Sequence, residues 1–201
     1  MTARPLPAVG QADTVSARRR AAPAVGAMVG YSRSDLIGPT AEQLRSRQGS
    51  VTGVYLLTPI TGGLSFRPEL LFSLKGGRTL TGTAILDIEL AYLEMPLLAK
   101  LVVNRGRIRP LLFGGPAPAL QIGCDVQFID GDVNSRSTCG RDAVTIFREF
   151  DVGVVAGGGV EFRWPQSALA LEARYTAGLR SVFADAEVRN RTLGVLLALT
   201  F

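Results

Sequence analysis

Leu193-Gly194-Val195-Leu196-Leu197-Ala198-Leu199-Thr200-Phe201 is the stretch that decides the fold. Leu193, Val195, Leu197, Leu199 and Phe201 are large and apolar, whereas Gly194, Ala198 and Thr200 between them are small or polar, with Leu196 the exception. A strand turns successive side chains to opposite faces, so this alternation gives one greasy face and one narrow face.

The same rhythm recurs upstream, with charge on the narrow face. Over 168–178, Leu169, Leu171, Ala173, Tyr175 and Ala177 face one way, and Glu172 and Arg174 face the other. Over 151–162, Val154, Val160 and Phe162 oppose Val155 and Glu161; over 64–75, Leu64, Phe66, Leu70 and Phe72 oppose Arg67, Glu69, Ser73 and Lys75. Over 92–102, Leu93, Met95, Leu97 and Leu101 oppose Glu94, Pro96 and Lys100. Asp87 and Glu89 have the opposite parity to Glu94, which predicts a bulge or a strand end near Leu90 to Tyr92. Less regular segments at 22–32, 51–57 and 108–120 complete eight strands.

Connections predicted at 58–63, 104–107 and 163–167 are short, while those at 33–50, 76–86, 122–146 and 180–188 are long. Short turns at one end and long loops at the other are what a membrane barrel shows. The predicted fold class is therefore all-β, an eight-stranded antiparallel up-and-down transmembrane β-barrel over residues 22–201. Residues 1–21 are read as a disordered or non-native segment. An exported protein is expected to begin with a signal peptide, and 1–22 contains no continuous apolar stretch of that kind.

Composition agrees with this reading. Glycine at 23 residues and proline at 11 suit many strands and turns. No apolar run reaches the 18 residues that a membrane helix requires. The uncharged stretch Pro110–Cys124 holds Pro110, Pro116 and Pro118 and cannot be helical. Arg18, Arg19 and Arg20 form the single basic run, read as a solvated tail, and bases are not interleaved with aromatics, so no nucleic-acid partner is expected. The glycines at 157–159 lack the following helix and Lys-Ser/Thr pair of a phosphate loop, and are read as easing curvature where the barrel closes.

The chain resembles the PorT-like outer-membrane β-barrel proteins, often called the porin family. The resemblance is carried by Arg67 to Gly76 (RPELLFSLKG), Tyr92 to Lys100 (YLEMPLLAK), Arg109 to Pro116 (RPLLFGGP), Gly157 to Glu161 (GGGVE) and Glu172 to Leu179 (EARYTAGL). It implies a location in the outer membrane of a Gram-negative-type bacterium. It also implies a C-terminal strand, through Leu197, Leu199 and Phe201, that the barrel-assembly machinery reads.

Arg67, Glu69, Glu94, Lys100, Glu161, Glu172 and Arg174 are the predicted inward charges. An eight-stranded barrel is only wide enough to be filled by side chains, and buried charge must be paired, so a salt-bridged plug is expected. The rival reading is a proton path or acid–base pair built from Glu94 and Glu172. Cys124 and Cys139 fall in the longest predicted loop, where a disulfide would stabilise by roughly 3 kcal/mol. The chain has no histidine, which excludes Ser-His and Cys-His catalysis, and two cysteines without histidine make no zinc site. No enzyme activity, metal or cofactor is expected. Expected partners are outer-membrane lipid, the assembly machinery, and an unknown protein or ligand at the long loops. The function expected is structural, adhesive or accessory; the alternatives are a small-solute pore and a soluble barrel that binds an apolar ligand.

Overall fold

The computed structural model describes residues 22–37, 44–81, 84–103, 106–130, 133–138, 150–179 and 189–201. Within them are ten strand segments and no helix: β1 (Ala24–Ile37), β2 (Leu44–Thr61), β3 (Leu64–Thr81), β4 (Ala84–Glu94), β5 (Leu97–Val102), β6 (Ile108–Asp130), β7 (Val133–Thr138), β8 (Phe150–Arg163), β9 (Ala168–Gly178) and β10 (Arg189–Thr200).

Segments β4 and β5 are one stave of the barrel, interrupted at Met95-Pro96. Pro96 has no N–H to give, but its carbonyl accepts from Glu69 N at 2.9 Å and Met95 N donates to Pro118 O at 2.8 Å, so the sheet continues across the break. Among the described residues, β7 pairs with the far half of β6 alone. The remaining staves run in the ring order β1, β2, β3, β4/β5, β6, β8, β9, β10, every neighbour antiparallel. Pairing of β1 with β10, from Gly26↔Thr200 to Ile37↔Arg189, closes the ring. This is the eight-stranded up-and-down barrel expected from the alternation.

The three short turns and both ends of the described barrel lie at one end. The β2–β3 turn is Gly62-Gly63, with φ of +54° and +88°. Positive φ at both central residues matches the twist of a two-residue hairpin and suits glycine.

At the other end the strands run further than the sequence indicated. Positions 33–37, 44–50, 76–81, 84–86, 122–130 and 133–138, expected in loops, lie in strands. The apolar–polar alternation vanishes there because the outward positions, such as Arg33 and Arg78, are polar, while the inward face stays covered, with Ser34 1% exposed. The rest of the predicted connections (38–43, 82–83, 104–105, 131–132, 139–146 and 180–188) and the segment 1–21 fall outside the described residues. The register shift expected near residues 90–92 is present, but its extra residue is on the partner strand. Ala91 pairs with Gly123 and Tyr92 with Gln121, so Ile122 of β6 is the bulge.

Apolar side chains cover the outside and charge lies inside. On β10, Leu193, Val195, Leu197 and Leu199 are exposed, while Asn190, Thr192, Leu196 and Ala198 are buried. The outward row from Leu193 to Phe201 rises about 26 Å along the strand, or roughly 20 Å once tilted, close to the apolar band of a membrane barrel. A soluble barrel with an apolar interior would need the reverse placement.

Gly157 lies on β8, two staves from the β1–β10 seam, and has a specific role there. A Cβ there would come within 2.4 Å of the Phe113 ring. The missing side chain makes room for Phe113 inside the lumen.

Substituting Leu197→Arg at the middle of the outward row should destabilise the barrel by about 2–4 kcal/mol in lipid vesicles. Reversible urea unfolding would measure it, and a cost near zero would mean that this face does not meet hydrocarbon.

Candidate functional site: the ion-paired lumen

The interior is built from alternate residues of every stave, and its charged side chains form three tiers. All seven charges expected to face inward are buried, with Arg67 and Glu172 at 0% exposure.

The middle tier joins β3 to β9. Counted either way round the ring these strands are four steps apart, so they stand diametrically opposite. Arg67 donates through Nη1 to Glu172 Oε1 at 2.6 Å and through Nη2 to Oε2 at 2.9 Å. Arg174 returns the pattern, with Nη1 to Glu69 Oε2 at 2.8 Å and Nη2 to Oε1 at 3.0 Å. Arg67 Nε lies 2.8 Å from Glu69 Oε1, and Arg174 Nη2 lies 4.0 Å from Glu172 Oε2, so the four residues close into a square. The two-residue spacing on each strand, Arg67/Glu69 and Glu172/Arg174, presents both charges on one face. Because the residues order as Arg-x-Glu on one strand and Glu-x-Arg on the other, each cation meets an anion across the lumen.

Aromatic rings support the square. The Arg67 guanidinium sits 4.7 Å from the Phe113 centroid and 5.4 Å from that of Tyr55, and Arg174 sits 5.3 Å from Phe113. A ring face attracts a cation, and a flat ring also fixes a planar guanidinium, so these contacts hold the forks in bidentate geometry. Leu71, Leu98, Leu111, Val155 and Leu196 fill the space around them.

Toward the short turns, Lys100 Nζ is 2.7 Å from Glu161 Oε2, and Arg109 pairs with the other carboxylate oxygen. Toward the long extensions, Lys75 Nζ is 2.9 Å from Glu94 Oε1, and the Ser73 hydroxyl donates to the same carboxylate. Lys75 also lies 5.3 Å from the centroid of Tyr92. Lys75 faces inward as its parity with Arg67 and Glu69 predicts, although it is not one of the seven charges singled out from the sequence. Arg109 is the charge that sequence reasoning misses: it has the parity of Leu111 and Phe113 but sits at the strand's end, where parity is a weaker guide.

The tiers together hold five cations (Arg67, Lys75, Lys100, Arg109, Arg174) and four carboxylates (Glu69, Glu94, Glu161, Glu172). No ion pair or hydrogen bond joins Glu94 to Glu172; they occupy different tiers, each with its own cation. Above the square, a pocket of ≈ 10 Å³ between Lys75, Glu94, Asn190 and Thr192 has space for about one water. Below it, a vestibule of ≈ 350 Å³ opens at the short-turn end, walled by Ser65, Arg109, Glu161, Trp164 and Thr200 among others.

Cys124 is disulfide-bonded, whereas Cys139 is outside the described residues. The flanking ladder pairs Asp125, just after Cys124, with Thr138, just before Cys139. Leu197, Leu199 and Phe201 all lie on the outward apolar face, beside the seam. Among the described residues, no group of His, Cys, Asp or Glu is arranged to hold a metal.

A closed ring of alternating strands with lipid-facing apolar side chains is the architecture of a bacterial outer-membrane protein. The family model for the outer membrane protein beta-barrel domain matches residues 11–184. The chain belongs to that family. This outer-membrane barrel is similar to the crystal structure of Neisserial surface protein A (NspA), with a TM-score of 0.51 and 14% identity over 88% of this chain and 97% of that one. It is also similar to AlkL in lipid bilayers (TM-score 0.47, 12% identity, 100% and 97% covered) and to Ail of Yersinia pestis (TM-score 0.41, 10% identity, 89% and 98% covered). No curated protein matches it in sequence. The protein is located in the outer membrane; barrels of this kind carry short turns on the periplasmic side and longer loops on the extracellular side.

Truncating one member of the square should cost far more than truncating an opposed pair. Glu172→Leu strands the Arg67 charge and should destabilise by about 3–5 kcal/mol, and adding Arg67→Met should recover most of that loss. Urea unfolding of the two singles and the double in vesicles would show it; additive losses would mean that the residues do not pair.

Proposed function

We propose that this protein is a non-enzymatic outer-membrane barrel with a plugged lumen, whose role is structural, adhesive or accessory and is exercised at its extracellular rim. The observation that carries this reading is the Arg67–Glu172 and Arg174–Glu69 pairing across the full diameter. A solute would have to break two bidentate ion pairs and leave buried charge unsatisfied, which is costly in a narrow low-dielectric lumen.

The outer end supports the rest of the proposal. β2, β3, β4 and β6 carry paired ladder well beyond the apolar band, and the disulfide at Cys124 braces one of these extensions. Such a rigid rim is suited to meeting a protein or another ligand outside the cell. Motifs such as Arg67 to Gly76 and Tyr92 to Lys100 favour the PorT-like members of the family. Leu197, Leu199 and Phe201 are the residues through which the assembly machinery would recognise the closing strand. Each lumenal carboxylate is engaged by a cation, which favours a structural use over acid–base chemistry.

A pore is the second reading, favoured by the vestibule that leads from the periplasm to the square. Planar-bilayer recording separates the two. The wild-type protein should show no steady conductance, and the quadruple variant Arg67→Ala/Glu69→Ala/Glu172→Ala/Arg174→Ala should show discrete openings. Steady wild-type conductance, unchanged in the variant, would make the pore the correct reading.

A further inference from the structure

Charge is distributed unevenly around the outer surface at the extracellular rim. On the side of β2, β3 and β4 it is closed on itself. Arg47 Nε lies 2.8 Å from Asp87 and Arg78 Nη2 lies 2.8 Å from the same carboxylate, while Arg47 also pairs with Glu89. Two guanidinia there meet two carboxylates.

The seam between β10 and β1 is different. Arg33 continues the outward row Val29–Tyr31, and Arg191 and Arg189 continue the outward row Val195–Leu193. All three arginines are exposed, and among the described residues none forms an ion pair. Arg33 Nε donates to the Ser46 hydroxyl at 2.8 Å, which leaves its terminal nitrogens open. Asp35, the cross-strand partner of Arg191, is the one carboxylate of this row among the described residues. Among the described residues, three guanidinia against one carboxylate leave +2.

The level of these groups is fixed by the register. Arg33 is level with Leu193, the last apolar residue of its row, and Tyr175 on β9 stands beside it; Tyr31 is level with Val195. The arginines thus begin where the apolar band ends, at the depth of lipid headgroups. Directly below, on the same seam, the outer wall is hollow. Ala27, a small exposed residue among larger apolar neighbours, lines a shallow open groove with Val29, Val54, Leu169, Leu197 and Leu199. Val29 is four residues from Arg33, about 13 Å along the strand, within reach of one lipid chain hanging from a headgroup.

We propose that Arg33, Arg189 and Arg191 bind the phosphate of a phosphorylated glycolipid in the outer leaflet, one of whose acyl chains lies in the hollow at Ala27. A phosphomonoester carries about −1.5 to −2 at neutral pH, which complements the +2 of the site, and guanidinium forks suit its oxygens. A free anion would use the arginines but gain nothing from the hollow. The combination of the two therefore selects lipid over solute.

The test uses the full protein folded in phosphatidylcholine vesicles that contain either diphosphoryl lipid A or the same lipid with its phosphates removed. Native mass spectrometry after mild detergent extraction reads the lipid retained. The wild type should retain the phosphorylated lipid preferentially. Arg33→Gln/Arg189→Gln/Arg191→Gln should lose that preference, by about five-fold per arginine and on the order of a hundred-fold for all three. Arg107→Gln at a periplasmic turn should retain it. Ala27→Phe should weaken lipid retention without changing any protection given by inorganic phosphate. Heat-dependent gel mobility checks that each variant is folded, and Arg191→Gln alone serves if the triple variant is not. Equal retention of the two lipids, an unaffected folded arginine variant, or inorganic phosphate displacing the lipid from the wild type at comparable concentration would each overturn the proposal.

Discussion

The rest of the structure depends on the charge pairing across the diameter of a narrow ring, whose middle tier is closed by Arg67, Glu69, Glu172 and Arg174. With eight staves, opposite walls are close enough for an arginine and a glutamate to meet directly, and the lumen has little other space. An isolated lumenal charge would keep its desolvation penalty with no compensation. Arg67, Glu69, Glu172 and Arg174 avoid this by each taking a partner on the far wall, and Arg67 also touches Glu69 on its own strand. Phe113 occupies the space left by Gly157 and lies against both arginines, so a missing side chain on β8 contributes to a contact between β3 and β9.

The outer surface answers to a different solvent. Lipid tails require the apolar rows of Leu193 to Phe201 and their counterparts on each stave, but they make no demand on the strands beyond the band. There the ladder itself, with side-chain pairs such as Arg47–Asp87, maintains order in a polar environment. One barrel wall therefore passes through three regimes, from a short-turn edge where Phe66, Phe162 and Trp164 stand beside Arg107 and Arg163, through hydrocarbon, to the polar rim at Arg33 and Arg191.

Alternation made the membrane-embedded part of this architecture readable from the sequence. The stretch from Ala168 to Gly178 is bounded in the structure where its pattern ends, and the polarity of Glu172 and Arg174 against Leu171 and Tyr175 gave the inside from the outside. The extensions were unreadable for the same reason: Leu44 to Ser50 is strand, but nothing there alternates because neither face meets lipid. The side of the lumen on which a charge lies follows from parity; its partner does not. Partners depend on ring order and register, so the squaring of Arg67 with Glu172, 105 residues away, could not be read from one chain. Lys75 followed the inward parity of β3, yet its place beside Glu94 appeared only once β3 and β4 were in register.

Magic-angle-spinning NMR of the protein in lipid bilayers, with dipolar recoupling between the Arg67 Nη nitrogens and the Glu172 carboxyl carbon, would test the cross-lumen pairing most directly. Direct ion pairing, as in the 2.6 and 2.9 Å hydrogen bonds, predicts strong dephasing for the uniquely labelled pair. An absence of coupling in a well-folded sample would mean that the two strands do not meet across the lumen, and the barrel would have to be regarded as open.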